Sequence, residues 1–139
     1  MPYCWGGFFS PYGGKDGITF EQALKNGYFP GNIRTEEYYK YATAGVDCSG
    51  LLTAAFGINQ KLGTKDLMEL GSALDTLDQL QYVDYLVSPG NHVIVFYDWL
   101  NETTMLVCES VVRDGKVLIH PKSLNELVVN GTYVLRSPW

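Results

Sequence analysis

The sequence is short of cysteine, of positive charge and of long apolar runs, and each shortage removes a class of protein. Only three cysteines occur, Cys4, Cys48 and Cys108, an odd number that leaves at least one thiol free and builds no disulfide framework. None stands in a Cys-x-x-Cys spacing, and the two histidines, His92 and His120, share no short interval. Zinc therefore has no signature here, although Cys48, Cys108, His92 and His120 could supply four ligands by number; no metal and no cofactor is expected. The net charge of −5 and an isoelectric point near 4.8, without any basic run, argue against a nucleic-acid partner. No apolar stretch reaches the roughly 18 residues of a membrane span. A signal peptide is not visible either, nor is an internal repeat or a low-complexity tract.

What is present fits one globular domain over residues 1–139. The chain is 46% hydrophobic and 18% charged, an ordinary globular balance. Its length suffices to bury about two-thirds of the unfolded surface without staples. Ten tyrosines suit either a partly buried core or an aromatic groove for sugars and peptides.

The informative stretch is Gly45-Val46-Asp47-Cys48-Ser49-Gly50-Leu51-Leu52-Thr53-Ala54-Ala55-Phe56-Gly57. Asp47 predicts an N-cap and Gly57 a C′ stop. Cys48, Leu51, Leu52 and Ala55 recur at helical spacing and predict the apolar face. The small Ser49, Gly50, Thr53 and Ala54 would let another element approach closely. A thiol in the first turn of a helix sits in the positive end of the macrodipole, which favours thiolate and nucleophilic attack. The plainer reading is a small buried hydrophobe.

Three short motifs, in order, resemble those of the NlpC-type cell-wall cysteine peptidases, small relatives of the papain architecture. They are Asp47-Cys48-Ser49-Gly50-Leu51, the upstream Tyr3-Cys4-Trp5-Gly6-Gly7, and Asn91-His92-Val93-Ile94-Val95-Phe96. The resemblance runs from Tyr3 to about Ser110. It implies a papain-like α+β fold, with Cys48 as nucleophile, His92 as general base and Tyr3 helping to hold the oxyanion. Trp5 would line the substrate groove, and Asp47 and Ser49 would recognise the amine end of a peptide. The implied substrate is the stem peptide of bacterial peptidoglycan, cut at the γ-D-glutamyl–diamino acid bond, which places the protein in the cell envelope or outside the cell. A monomer is expected. The helix that usually precedes the Tyr-x-Trp-Gly-Gly segment is not seen, which suggests a trimmed chain, a partial chain or a departure that weakens the site, and Val83 stands where a glycine is usual.

Residues 8–44 interrupt the resemblance as an insertion, read as a wall beside the cleft or as structural elaboration. Within it, Thr19 predicts the cap of a helix over 20–26, Pro30-Gly31 a turn, and Thr35 the start of a helix over 36–44. After the Cys48 helix, Thr64 predicts the cap of a helix over 65–71. A second helix follows over 73–80, sharing the stripe Leu67, Leu70, Leu74 and Leu77. Strands are expected at 82–87, 92–99, 103–113, 116–120 and 132–136, with Asp114-Gly115 as a two-residue hairpin turn. One helical turn is expected at 123–127. Helices first and an antiparallel sheet afterwards is the α+β arrangement.

The third member of the site has two candidates. If the hairpin after His92 has an even-length loop near Asn101, His92 and Glu109 share a face, directly or diagonally opposed. Glu109 could then accept the imidazole N–H, while His120 matches the residue type the resemblance prefers. Rival assignments on the same residues are another Cys–His amidase or acyltransferase, or a catalytically degenerate cell-wall binding domain.

Overall fold

The computed structural model describes residues 1–32, 41–129 and 133–138. The chain divides into two compact units, residues 1–62 with 110–117, and residues 63–109 with 118–139. The α+β arrangement is present.

In the first unit the glycine- and aromatic-rich opening forms no regular element but is tied down by isolated bridges. Tyr3 and Phe8 both pair with Val46, Cys4 with Asn32, and Pro2 with Lys116. Helix α1 (Phe20–Lys25) starts where Thr19 and Gln22 satisfy each other's backbone N–H groups in a capping box. Gly27 follows in the left-handed conformation, φ 84°, which ends the helix as the sequence implies. The segment read as a Pro-Gly turn is instead a short strand, β1 (Phe29–Pro30), parallel to β2 (Thr43–Ala44). The expected helix over 36–44 lies largely outside the described residues. Its end is corrected: Ala42 takes φ 61° and Thr43 and Ala44 pair as strand, so no helix reaches them. Phe9, Ala23 and Ala44 form a small core with Ile18, Phe20 and Tyr28 against it.

Helix α2 (Cys48–Ala55) begins at Asp47, whose carboxylate accepts the Gly50 N–H at 2.7 Å. Gly57, φ 67°, is the C′ stop. The buried face differs from the expected one. Ser49, Gly50, Leu52 and Thr53 are buried while Ala55 is exposed, because the helix packs by its small residues. A Cβ on Gly50 would overlap the Gly7 carbonyl, so Gly50→Ala should cost about 2 kcal/mol or more from overpacking. Thermal unfolding of the variant measures this, and an unchanged midpoint would contradict the close approach.

The second unit holds most of a six-stranded sheet in the order β3-β8-β4-β5-β6-β7. The strands are β3 (Ser72–Ala73), β4 (Tyr85–Ser88), β5 (His92–Asn101), β6 (Thr104–Val111), β7 (Lys116–Ser123) and β8 (Val134–Ser137). β3 with β8, β8 with β4, β4 with β5 and β5 with β6 all pair antiparallel. β6 and β7 give their hairpin ends to the first unit, through a loop over 112–115 rather than the expected two-residue turn. The α3 helix (Thr64–Glu69) takes Gly63, not Thr64, as N-cap; the Thr64 hydroxyl accepts the Gly90 N–H instead. It packs on β4, where the buried Tyr85 hydroxyl lies 2.9 Å from the carbonyls of Leu67 and Leu70. The helix expected over 73–80 is reduced to a single 3₁₀ turn at Leu77–Gln79, and Ala73 is strand. Gly71, φ 69°, sits where a Cβ would overlap the Ser137 carbonyl, and the chain pairs with β8 as β3. Leu74, Leu77 and Leu80 still reach the core with Leu86, Ile94, Phe96, Met105 and Val107, joined by Leu124 and Leu127 of α4 (Leu124–Val129). Apolar content survived where helical periodicity did not.

Candidate active site

The residues singled out in the sequence fall into two clusters, one in each unit. In the first, Cys48 is the opening residue of α2 and is partly exposed. The Asp47 carboxylate beside it is fully engaged. Its Oδ1 accepts from Gly50 N–H at 2.7 Å and from the Ser49 hydroxyl at 3.3 Å, and lies 3.0 Å from Lys61 Nζ. Its Oδ2 accepts from Gly6 N–H at 2.8 Å. One carboxylate thus caps the helix and holds the glycine loop against it. Lys61 Nζ also donates to Ser49 Oγ at 2.6 Å and to the Leu62 carbonyl at 2.8 Å. Asp47 and Ser49 are therefore already bound to an ammonium, and it belongs to the protein. Sequence reading missed Lys61, for no spacing rule spans the 12 positions from Ser49 through a helix end and a loop.

Tyr3 is 3% exposed. Its phenol is pushed above the usual range by burial, and then by the nearby Asp47, Cys48 and Cys4. It stays protonated at neutral pH, a hydrogen-bond donor in the neighbourhood of the thiol. Trp5 lies half-buried in the following turn, its backbone N–H donating to the Asn32 carbonyl.

In the second unit His92 opens β5, opposite Ser88 of β4. Its Nε2 is 3.4 Å from Glu109 Oε1. The β5–β6 register explains the meeting. Asn101 pairs with Thr104 across a two-residue loop, and two one-residue shifts, at Tyr97 and at Leu100, follow along β5. One bulge alone would have brought Cys108 or Ser110 to the His92 face; two restore the alignment expected from an even loop. Val95 then faces Cys108, and continuing that register sets Glu109 diagonally across from His92.

Glu109 is 3% exposed and is the hub of this cluster. Its Oε2 accepts from Lys122 Nζ at 2.7 Å, and His120 Nε2 lies 3.5 Å from the same oxygen without a hydrogen bond. Burial pushes the Glu109 carboxyl up, but hydrogen bonds from His92 and Lys122 and their charges outweigh it, holding the group at about 2. The two candidates for third residue are therefore neighbours: Glu109 touches His92, and His120 lies on the far oxygen. Lys122 was missed, although the strand period that places His120 on one face of β7 also places Lys122 there.

The three thiols differ. Cys4 is fully buried, 3.4 Å from Thr43 Oγ1, and Cys108 is partly buried in β6. Burial pushes both upward, and the Glu109 charge adds to this at Cys108. Iodoacetamide labelling of the native protein with peptide mapping should thus modify Cys48 first. Faster modification of Cys4 or Cys108 would remove the argument for a nucleophile at Cys48.

Among the described residues no cluster of three or more His, Cys, Asp or Glu suits a metal ion, and no helix is long and apolar enough to cross a membrane. Comparison with known protein families, with curated proteins and with solved structures returns no match.

Proposed function

We propose that the chain is a cysteine peptidase that hydrolyses a peptide bond in the stem peptides of bacterial peptidoglycan, acting in the cell envelope or outside the cell. The observation that carries this reading is Cys48, partly exposed at the first position of a capped helix, with the protonated Tyr3 phenol near it. A helix start favours the thiolate, and a buried phenol donor suits a developing oxyanion. In this reading His92 takes the thiol proton, the sulfur attacks the scissile carbonyl, and the imidazolium returns the proton to the leaving amine. Water then hydrolyses the thioester, releasing the acid and restoring the thiol. Glu109 fixes the tautomer of His92 and stabilises its charged form. Asp47 and Ser49 face the substrate amine only if it displaces Lys61 Nζ or joins it.

Digestion of purified peptidoglycan, with fragments identified by mass spectrometry, tests the reading. The expected product pair is separated at the γ-D-glutamyl–diamino acid bond. Intact muropeptides after prolonged incubation with the reduced protein would reject it, and cleavage at another amide would transfer the mechanism to a different bond.

A further inference from the structure

The geometry points to Lys122 as a positioning residue for His92, acting through the shared carboxylate of Glu109. The proposal rests on the reading of His92 as the base. Lys122 is 8% exposed, and lysine is seldom so buried unless its charge is paired. Its Nζ holds Glu109 Oε2 at 2.7 Å, which leaves Oε1 for His92 at 3.4 Å. One bond thereby sets the carboxylate's orientation from the neighbouring strand.

The charge matters as much as the hydrogen bond. A buried, uncompensated carboxylate beside an imidazole would hold the imidazolium and make a poor base. Lys122 offsets that charge while keeping the acceptor in place. Among the described residues of this unit, the charged and titratable groups around Glu109 are His92 from β5, His120 and Lys122 from β7, and its chain neighbour Cys108. From β4 the residue opposite His92 is Ser88, which carries no charge. Among the described residues Lys122 is thus the lysine or arginine in direct contact with the carboxylate.

With only two histidines in the chain, the test is a titration of the imidazole resonances in the intact protein, assigned with His120→Gln. Lys122→Met should raise the His92 midpoint by about one pH unit, and Glu109→Gln should lower it. The double variant should follow Glu109→Gln. With substrate, Lys122→Met should lower kcat about tenfold at neutral pH and leave KM unchanged. Where Lys122→Met fails to fold, Lys122→Gln keeps a hydrogen-bond donor without charge and carries the same expectation. In the unmodified protein the Lys122 ammonium resonance should shift as His92 titrates. An unmoved His92 midpoint in a folded variant, or a flat Lys122 signal, overturns the proposal. The titrations need no substrate, so they separate the two claims. A shifted midpoint in a protein inert on peptidoglycan would sink the peptidase reading, and a flat midpoint in an active enzyme would sink Lys122 alone.

Discussion

Cys48→Ala is expected to lower hydrolysis of stem peptides by about five orders of magnitude, the scale seen when a nucleophile is removed from a unit that acts together. The folded state should barely notice. The side chain is partly exposed at the first helical position, alanine is a good helix former, and the Asp47 cap with its bonds to Gly50 and Gly6 is untouched. The stability change should stay within about 0.5 kcal/mol. Steady-state turnover and thermal unfolding, measured on the same preparation, check both halves. Turnover within tenfold of wild type would show that the sulfur is not the nucleophile. Loss of activity accompanied by unfolding would show that Cys48 is a core residue.

Glu109→Ala should destabilise the protein by about 3–5 kcal/mol, because it strands the Lys122 charge in a buried site. Its carboxyl sits at about 2 against an ordinary 4.5. A depressed carboxyl contributes stability that is fully present above about pH 4.5 and is lost as the pH falls through about 2. That contribution is on the order of 3 kcal/mol. Urea unfolding of wild type and Glu109→Gln from pH 6 down to pH 2 reads the sign directly. The gap between them should narrow across that window and nearly close at its acid end. A constant gap would mean that Glu109 matters by shape and not by charge.

Helix caps and stops were more legible in the sequence than the connecting fold. Asp47, Cys48 and Gly57 announced α2, because a cap, a helical run and a C′ glycine are local chemistry. The Thr19 capping box was equally plain. The failures lie where distant backbone decides. Leu67, Leu70, Leu74 and Leu77 keep a helical spacing, yet Gly71 packs on Ser137 and turns the chain into β3. Ala42, at positive φ, marks where tertiary context replaced the end of an expected helix with strand. Val83 is instructive in the other direction: the resemblance places glycine there, and the valine adopts φ 72°, a region that favours glycine. Lys61 and Lys122 were invisible as site residues because a free surface lysine is the ordinary expectation, and only tertiary pairing fixes their ammonium groups on Asp47 and Glu109.

The paired bulges of β5 bear on how such a hairpin tolerates change in length over evolutionary time. Tyr97 and Leu100 are the surplus residues of the two register shifts, and both side chains are exposed. Losing either one would convert an irregular step into ordinary pairing at the tip while leaving Val95 opposite Cys108. Everything from Val95 back to His92 would keep its alignment with Glu109. Deletion of either surplus residue is therefore free of selection from the imidazole–carboxylate contact. A deletion between Val107 and Glu109 has no such slack, since it would carry the carboxylate to the opposite side of the sheet.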